Sequence, residues 1–236
     1  MKINQPLSVF IPAYNEEKII EKNIKKINNY LKEHFDTYEL VIVDDYSNDK
    51  TLKLSKNLEK TIGVRNVHFD NGPSRRENLG KAMLTAKYDY IGFLDMDLAT
   101  DITYLQTLFF LLEKYDIVLG SRYKGIKPHR EWWRLLFSKI YNIFMRVYFN
   151  SKISDHQCGF KAFRKEVLLR LLKEVGYDKT FKRGWFWDAE LLIRAQKHKL
   201  SYIEMPVKWT RGEKSTFNFK REIKMLGYVL KLKFRL

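Results

Sequence analysis

Short apolar runs alternate along the chain with longer segments in which apolar residues return every three or four positions. Leu7-Ser8-Val9-Phe10-Ile11 reads as a first strand, and Ile19, Ile20, Ile24, Ile27 and Leu31 then mark one face of a helix. Tyr38 to Val43 is a second, β-branched strand, followed by a helix that restarts at Asn48-Asp49-Lys50-Thr51 and runs through Leu52 and Leu58. Val64 to Phe69 is a third strand, Asn71-Gly72-Pro73 a turn, and Asn78-Leu79-Gly80-Lys81 part of a helix ending about Ala86. Ile91 to Leu94 is a fourth strand, Asp101 to Leu112 a helix, and Asp116 to Gly120 a further strand. Strands alternating with helices predict βαβ units, hence an α/β fold: a mostly parallel sheet with helices on both faces.

In such a sheet ligands bind beyond the carboxyl ends of the strands. Three of the strands stop at acids: Glu16-Glu17 after the first, Asp44-Asp45 after the second and Asp95-Met96-Asp97 after the fourth. Two carboxylates one residue apart at the rim of a core are either a strand end followed by an Asp helix cap, since Asp-x-Asp is common by chance, or the holders of a positive partner, for which a hard divalent ion carrying a diphosphate is the candidate. Carboxylates also accept hydrogen bonds from a base or a ribose. There is no Gly-x-Gly-x-x-Gly or Walker motif to cradle phosphates. Asn15 can cap the first helix, and helix-terminus electrostatics accounts for Glu17 and Asp49 as well as a binding role does. Asp44 follows its apolar run directly and is not needed as a cap.

Charge changes the picture in the second half. The 236 residues carry a formal net charge of +16, which predicts a phosphate-rich or membrane-surface partner. Between residues 122 and 152, Arg122, Lys124, Lys127, Arg130, Arg134, Lys139, Arg146 and Lys152 face one acid, Glu131. Among them Trp133, Leu136, Phe137, Ile140, Phe144 and Val147 form an apolar stripe at helical spacing, expected either to pack on the core or to lie at an interface. Phe219 to Leu236 repeats this basic, apolar mixture. Nucleic-acid binding would want aromatics on a stacking platform, whereas here they lie among aliphatics on helical faces, which favours a lipid surface. No run reaches the roughly 18 apolar residues of a spanning helix. A single cysteine, Cys158, excludes an internal disulfide and favours a reducing compartment. Together these predict a peripheral protein on the cytoplasmic side of a membrane, with no transmembrane segment.

Several ordered motifs carry a resemblance. Ile11-Pro12-Ala13-Tyr14-Asn15-Glu16, Val43-Asp44-Asp45-Tyr46-Ser47-Asn48-Asp49-Lys50-Thr51, Asn78-Leu79-Gly80-Lys81-Ala82 and Asp95-Met96-Asp97 stand in the order seen in family 2 glycosyltransferases of GT-A fold. Gly120-Ser121-Arg122 and Asp155-His156-Gln157-Cys158-Gly159-Phe160-Lys161 resemble the polyprenyl-phosphate branch, in a form more like its glucose synthases than its mannose synthases. The likeness runs from about Leu7 to Thr216. Ala99 stands where mannose synthases of this branch carry Gln, which weakens the mannose reading.

The resemblance implies inverting transfer of a sugar from a nucleotide diphosphate to dolichyl or polyprenyl phosphate. UDP-glucose is the expected donor, with UDP-N-acetylglucosamine and GDP-mannose open. It implies that Pro12, Tyr14, Glu16, Asp44, Asp45, Lys81 and Asp95 serve the donor, and that Asp97, with Asp95, holds Mg²⁺ or Mn²⁺. Arg122, Arg134 and Ser138 fall at the acceptor-phosphate positions, Asp188 and Glu190 at an acidic motif near the acceptor, and Arg211 and Lys214 on a basic loop over the diphosphate. Asp97, Arg122, Arg134 and Asp188 are the expected catalytic set. The expected division is a GT-A domain over 1–215, including an acceptor helix at about 130–150, and a basic amphipathic helix over 216–236. Two other classes stay open: a soluble nucleotide-sugar enzyme such as a nucleotidyltransferase, and a non-catalytic membrane-surface or nucleic-acid binder.

Overall fold

The structure, a computed structural model, describes residues 4–124, 132–210, 219–234 and 236, with the backbone alone at 132–135, 137, 219–224 and 226. Arg211 and Lys214 lie outside the described residues, as does the side chain of Arg134. In chain order the elements are β1 (Leu7–Ala13), α1 (Ile20–His34), β2 (Tyr38–Asp45), α2 (Thr51–Ile62), β3 (Arg65–Phe69), α3 (Glu77–Met83), β4 (Tyr90–Leu94) and α4 (Leu105–Leu111). They continue with β5 (Ile117–Ser121), α5 (Trp132–Tyr148), β6 (Phe160–Arg164), α6 (Lys165–Val175), α7 (Phe186–Lys197), β7 (Tyr202–Pro206) and α8 (Phe219–Leu232).

The strands form one seven-stranded sheet in the order β3-β2-β1-β4-β6-β5-β7. β1 pairs in parallel with β2 and β4, and β2 with β3, so the acids after β1, β2 and β4 share one edge. Alternation along each strand feeds two cores. Val9, Ile11 and Ile42 pack with α1 and α4, while Phe10, Val41 and Val43 pack with α3, α6 and α7 on the other face. Burial on both faces is why these strands read as near-continuous apolar runs.

β6 is the exception to the parallel sheet. It lies antiparallel between β4 and β5, with Leu94 opposite Phe160. An antiparallel strand begins where its neighbours end, so β6 brings residues 155–161 to the edge that carries Asp95. The turn after β1 also differs from expectation. Asn15 does not cap α1, whose preceding residue, Ile19, makes no side-chain cap. Asn15 adopts φ 56° and accepts from the Asn48 N–H at 2.8 Å, tying the β1 turn to the β2 turn. Glu17 and Asp49 reinforce that tie: Glu17 N–H donates to Asp49, and Lys50 N–H to Glu17.

Much of the apolar stripe expected on α5 is turned outward, although Phe144 is partly buried and packs on the core that α5 shares with α7 and α8. Leu136, Ile140 and Val147 are exposed, as is Ile143. The inward face is partly polar: Ser138 and Asn142 are buried, beside Met145. Asn142 accepts from the backbone N–H of His156 at 3.0 Å and bonds its ring Nδ1, while the His156 Nε2 meets the Ser151 hydroxyl at 2.8 Å. Hydrogen bonding to the 151–156 loop therefore fixes the rotation of α5. α5, α7 and α8 share a third core of Met145, Phe186, Ala189, Ile193, Met225, Val229 and Leu232. No described helix is long and apolar enough to cross a membrane.

Candidate active site

Left-handed backbone marks the loop beyond each of the first four strands: Asn15, Tyr46, Arg75 and Leu98 all have φ between 51° and 71°. Non-glycine residues hold such conformations only where the surroundings enforce them, which is common at functional edges. Pro12 lies in β1 opposite Val43, and Tyr14 and Glu16 follow it, each partly buried. The Glu16 N–H donates to Thr51 Oγ1 at 2.8 Å.

Asp44 and Asp45 are adjacent in an extended strand and so point to opposite faces. Asp44 is fully buried. One of its oxygens meets His68 Nδ1 of β3 at 2.6 Å, and the other, Oδ1, has no partner among the described residues. A buried carboxylate oxygen without a donor is costly, and a base or ribose N–H or O–H would satisfy it. Asp45 has no such vacancy. It accepts from Ser74 N–H (2.8 Å), the Ser74 hydroxyl (2.8 Å), Arg75 N–H (2.9 Å) and Asn78 Nδ2 (2.7 Å). Asp45 thus holds the 74–78 loop in place beside the site. Lys81 is exposed, with its ammonium over the rings of Phe69 and Tyr177.

At the end of β4 the two aspartates are unlike. Asp97 is accessible, and one oxygen accepts from the Ala99 N–H at 3.0 Å. Desolvation by the surrounding protein and then the charge of Asp95 push its pKa up, against the opposing pull of the Ala99 N–H and of Arg76. Asp95 has its cation: Oδ1 receives Arg76 Nη2 at 2.8 Å. Its carboxylate lies across Gly159 at the start of β6, where a Cβ would stand 1.9 Å from Oδ2. Arg76, 4% exposed, donates through Nε to Asp188 Oδ2 at 3.1 Å, and Lys161 Nζ reaches Asp188 Oδ1 at 2.9 Å. Both oxygens of Asp188 are therefore engaged by buried cations.

Arg122, at the end of β5, is held by Asp155 through Nε and Nη2, each at 2.7 Å. Burial alone would raise the Asp155 pKa, but the Arg122 guanidinium holds it below the usual carboxylate range. Glu204 of β7 accepts from the Ser154 and Asp155 N–H groups and so fixes that loop. The Ser138 hydroxyl pairs with Tyr123, next to Arg122. Glu190 is committed elsewhere: it pairs with Arg194 and accepts from the Tyr228 hydroxyl at 2.7 Å, docking α8 on α7.

Residues 8–172 match the family described as Glycosyl transferase family 2. The chain belongs to that family. Among curated proteins it is 32% identical over 227 residues to Glycosyltransferase AglD of Haloferax volcanii, covering 94% of this chain and 36% of that one. It is 29% identical to the dolichyl-phosphate beta-glucosyltransferase of Dictyostelium discoideum, covering 97% of this chain and 74% of that one. To the Trichomonas vaginalis enzyme of the same name, ALG5A, it is 30% identical, covering 96% and 72%. The fold matches glucosyl-3-phosphoglycerate synthase of Mycobacterium tuberculosis, in complex with Mn²⁺, UDP and phosphoglyceric acid, with TM-score 0.67 and 18% identity over 96% of this chain and 76% of that one. A second structure of that enzyme contains Mg²⁺ and UDP. This is the GT-A architecture that the sequence motifs led one to expect.

A divalent ion fits the chemistry of the family's site here. No group of three or more His, Cys, Asp or Glu able to hold a metal occurs among the described residues. Asp97, which is accessible, and the outer part of Asp95 are the hard oxygen donors that would be offered to such an ion, with phosphate and water left to complete its shell, as Mg²⁺ allows. Sequence reasoning passed over Arg76 and His68, and it quoted Asp155 only as part of a motif, with no role of its own. A buried arginine in Ser74-Arg75-Arg76-Glu77 has the same letters as a solvated one. Only its distant partners, Asp95 and Asp188, distinguish it.

Proposed function

We propose that the chain transfers glucose, with inversion, from UDP-glucose to dolichyl or another polyprenyl phosphate. The observation that carries this reading is the placement, on one sheet edge, of the buried Asp44 oxygen that has no partner among the described residues and the accessible carboxylate of Asp97. That arrangement suits a nucleoside at β2 and a diphosphate at β4. The acceptor follows from the named relatives, dolichyl-phosphate beta-glucosyltransferases.

A phosphate monoester has a second pKa of about 6, so the acceptor is already a nucleophile near neutral pH. Its oxygen attacks the anomeric carbon, the bond from that carbon to the diphosphate oxygen breaks, and UDP departs with the electron pair. No side chain has to take a proton, in keeping with an Asp188 whose oxygens are both occupied. A divalent ion held by Asp97, with Asp95 beside it, supplies charge neutralisation at the leaving diphosphate. Asp44 accepts from the base or ribose. Arg122, oriented by Asp155, and Arg134 would offset the repulsion between two anions, and the Ser138 hydroxyl pairs with Tyr123 beside Arg122. By the basic motif they match, Arg211 and Lys214 would add positive charge for the donor diphosphate.

The enzyme works as a peripheral protein at a membrane surface, on its cytoplasmic side. Exposed Leu136, Ile140, Ile143 and Val147 on α5, and Leu230 and Phe234 in and after α8, support this, flanked by exposed Lys139, Arg146, Lys231 and Lys233. The test is a donor screen with UDP-glucose, UDP-N-acetylglucosamine and GDP-mannose against a short polyprenyl phosphate, with and without chelator. Transfer from UDP-glucose, lost with chelator, is expected. Transfer from GDP-mannose alone would reject the donor assignment.

A further inference from the structure

Beneath the two β4 aspartates lies a buried ionic cluster that the transfer step above does not use. Arg76 bridges Asp95 and Asp188, and Lys161 holds the far oxygen of Asp188. Aromatic rings close around the guanidinium: its carbon lies 5.2 Å from the ring centre of Phe93 and 5.4 Å from that of Trp185. Lys161 is fully buried, donates also to the Cys158 carbonyl and stands over Phe93 from 5.5 Å. Removing either cation would leave the buried carboxylate of Asp188 short of a partner. Asp95, Asp97 and Asp188 against Arg76 and Lys161 leave one negative charge uncompensated, at Asp97.

We propose that Arg76 is a positioning residue that acts as the resident counter-ion of the metal site. It occupies Asp95 Oδ1, holds that carboxylate against Gly159 and leaves the site with too little negative charge to retain a bare divalent ion. The ion then binds together with the donor diphosphate, whose own charge completes the site. The cluster thereby links metal retention to donor occupancy, and UDP release to metal release. Asp188 serves this device by fixing the guanidinium from below.

This inference rests on the metal-dependent reading of the site, and the experiment separates the two. Mn²⁺ binding to the folded protein is measured by the electron paramagnetic resonance signal of free Mn²⁺, with and without UDP. Wild type is expected to bind Mn²⁺ weakly alone and more tightly with UDP. Arg76→Gln removes a cation from a carboxylate 2.8 Å away and is expected to tighten UDP-free Mn²⁺ binding on the order of tenfold, while slowing transfer. Arg76→Lys keeps the charge and restores weak UDP-free binding, but one ammonium cannot bridge both acids, so transfer stays slow. Asp188→Asn, nearly isosteric, removes a negative charge and weakens Mn²⁺ binding, so the test survives if Arg76→Gln fails to fold. Unchanged or weaker UDP-free binding in folded Arg76→Gln, or unchanged or tighter binding in Asp188→Asn, overturns the counter-ion role alone. Wild type that binds no Mn²⁺ even with UDP overturns the metal reading and this inference with it.

Discussion

Gly159→Ala tests how tightly the antiparallel strand is built into the site. A Cβ at this position would stand 1.9 Å from Asp95 Oδ2 and 2.3 Å from its Cγ. To regain an ordinary contact of about 3.5 Å, the carboxylate must move by roughly 1.5 Å. Asp95 is 42% exposed on its side chain, so it can swing toward solvent at little cost to itself. The cost falls on Arg76, 4% exposed, which loses one of two carboxylate partners. Residual overpacking adds to a weakened charged hydrogen bond, for a total of about 2–4 kcal/mol. For a chain of this length that is roughly 5–15 °C in melting temperature. Displacement of a donor-site carboxylate by more than 1 Å is expected to slow transfer about 100-fold. Thermal unfolding followed by circular dichroism, with initial rates on the same preparation, gives both numbers. A Gly159→Ala protein that melts within about 1 °C of wild type and transfers at the wild-type rate would refute the reasoning.

Arg134→Ala is expected to raise the KM for polyprenyl phosphate far more than the KM for the donor; equal effects in steady-state kinetics would place Arg134 away from the acceptor. His156 supplies a pH test. Burial lowers its pKa from 6.5 to about 4, so the folded state binds fewer protons than the unfolded one between those values. Its stabilising contribution is complete above pH 6.5 and is lost as pH falls toward 4, by about 3 kcal/mol in all. Urea unfolding of wild type against His156→Gln should show the wild-type excess slope in that window; parallel pH profiles would contradict a buried neutral imidazole.

Much of the architecture was legible because burial on both faces writes itself into composition. The runs Val9 to Ile11, Val41 to Val43 and Ile91 to Leu94 became central strands, and the acids after them came to one edge. β6 was not legible: Phe160-Lys161-Ala162-Phe163-Arg164 is short and carries two cations. Lys161 can be buried there only because Asp188 lies across from it, 27 residues on in sequence. The α5 pattern identified an apolar face but not its direction, since the hydrogen bonds that Asn142 Oδ1 accepts from His156 decide which side turns inward. Neighbouring Asp44 and Asp45 looked alike in sequence. Strand alternation sends one toward His68 and the other into the 74–78 loop.

The most direct test of the central claim is product analysis of wild type and Asp97→Ala with UDP-glucose, a short polyprenyl phosphate and Mn²⁺. Asp97 makes no described contact that the fold depends on beyond the Ala99 N–H, so the variant should remain folded. Mass spectrometry and NMR of the wild-type reaction should find β-linked polyprenyl-phosphate glucose with an equal amount of UDP, and the Asp97→Ala reaction should yield neither. Wild-type protein that makes no such product, or Asp97→Ala that makes it at the wild-type rate, would contradict the account.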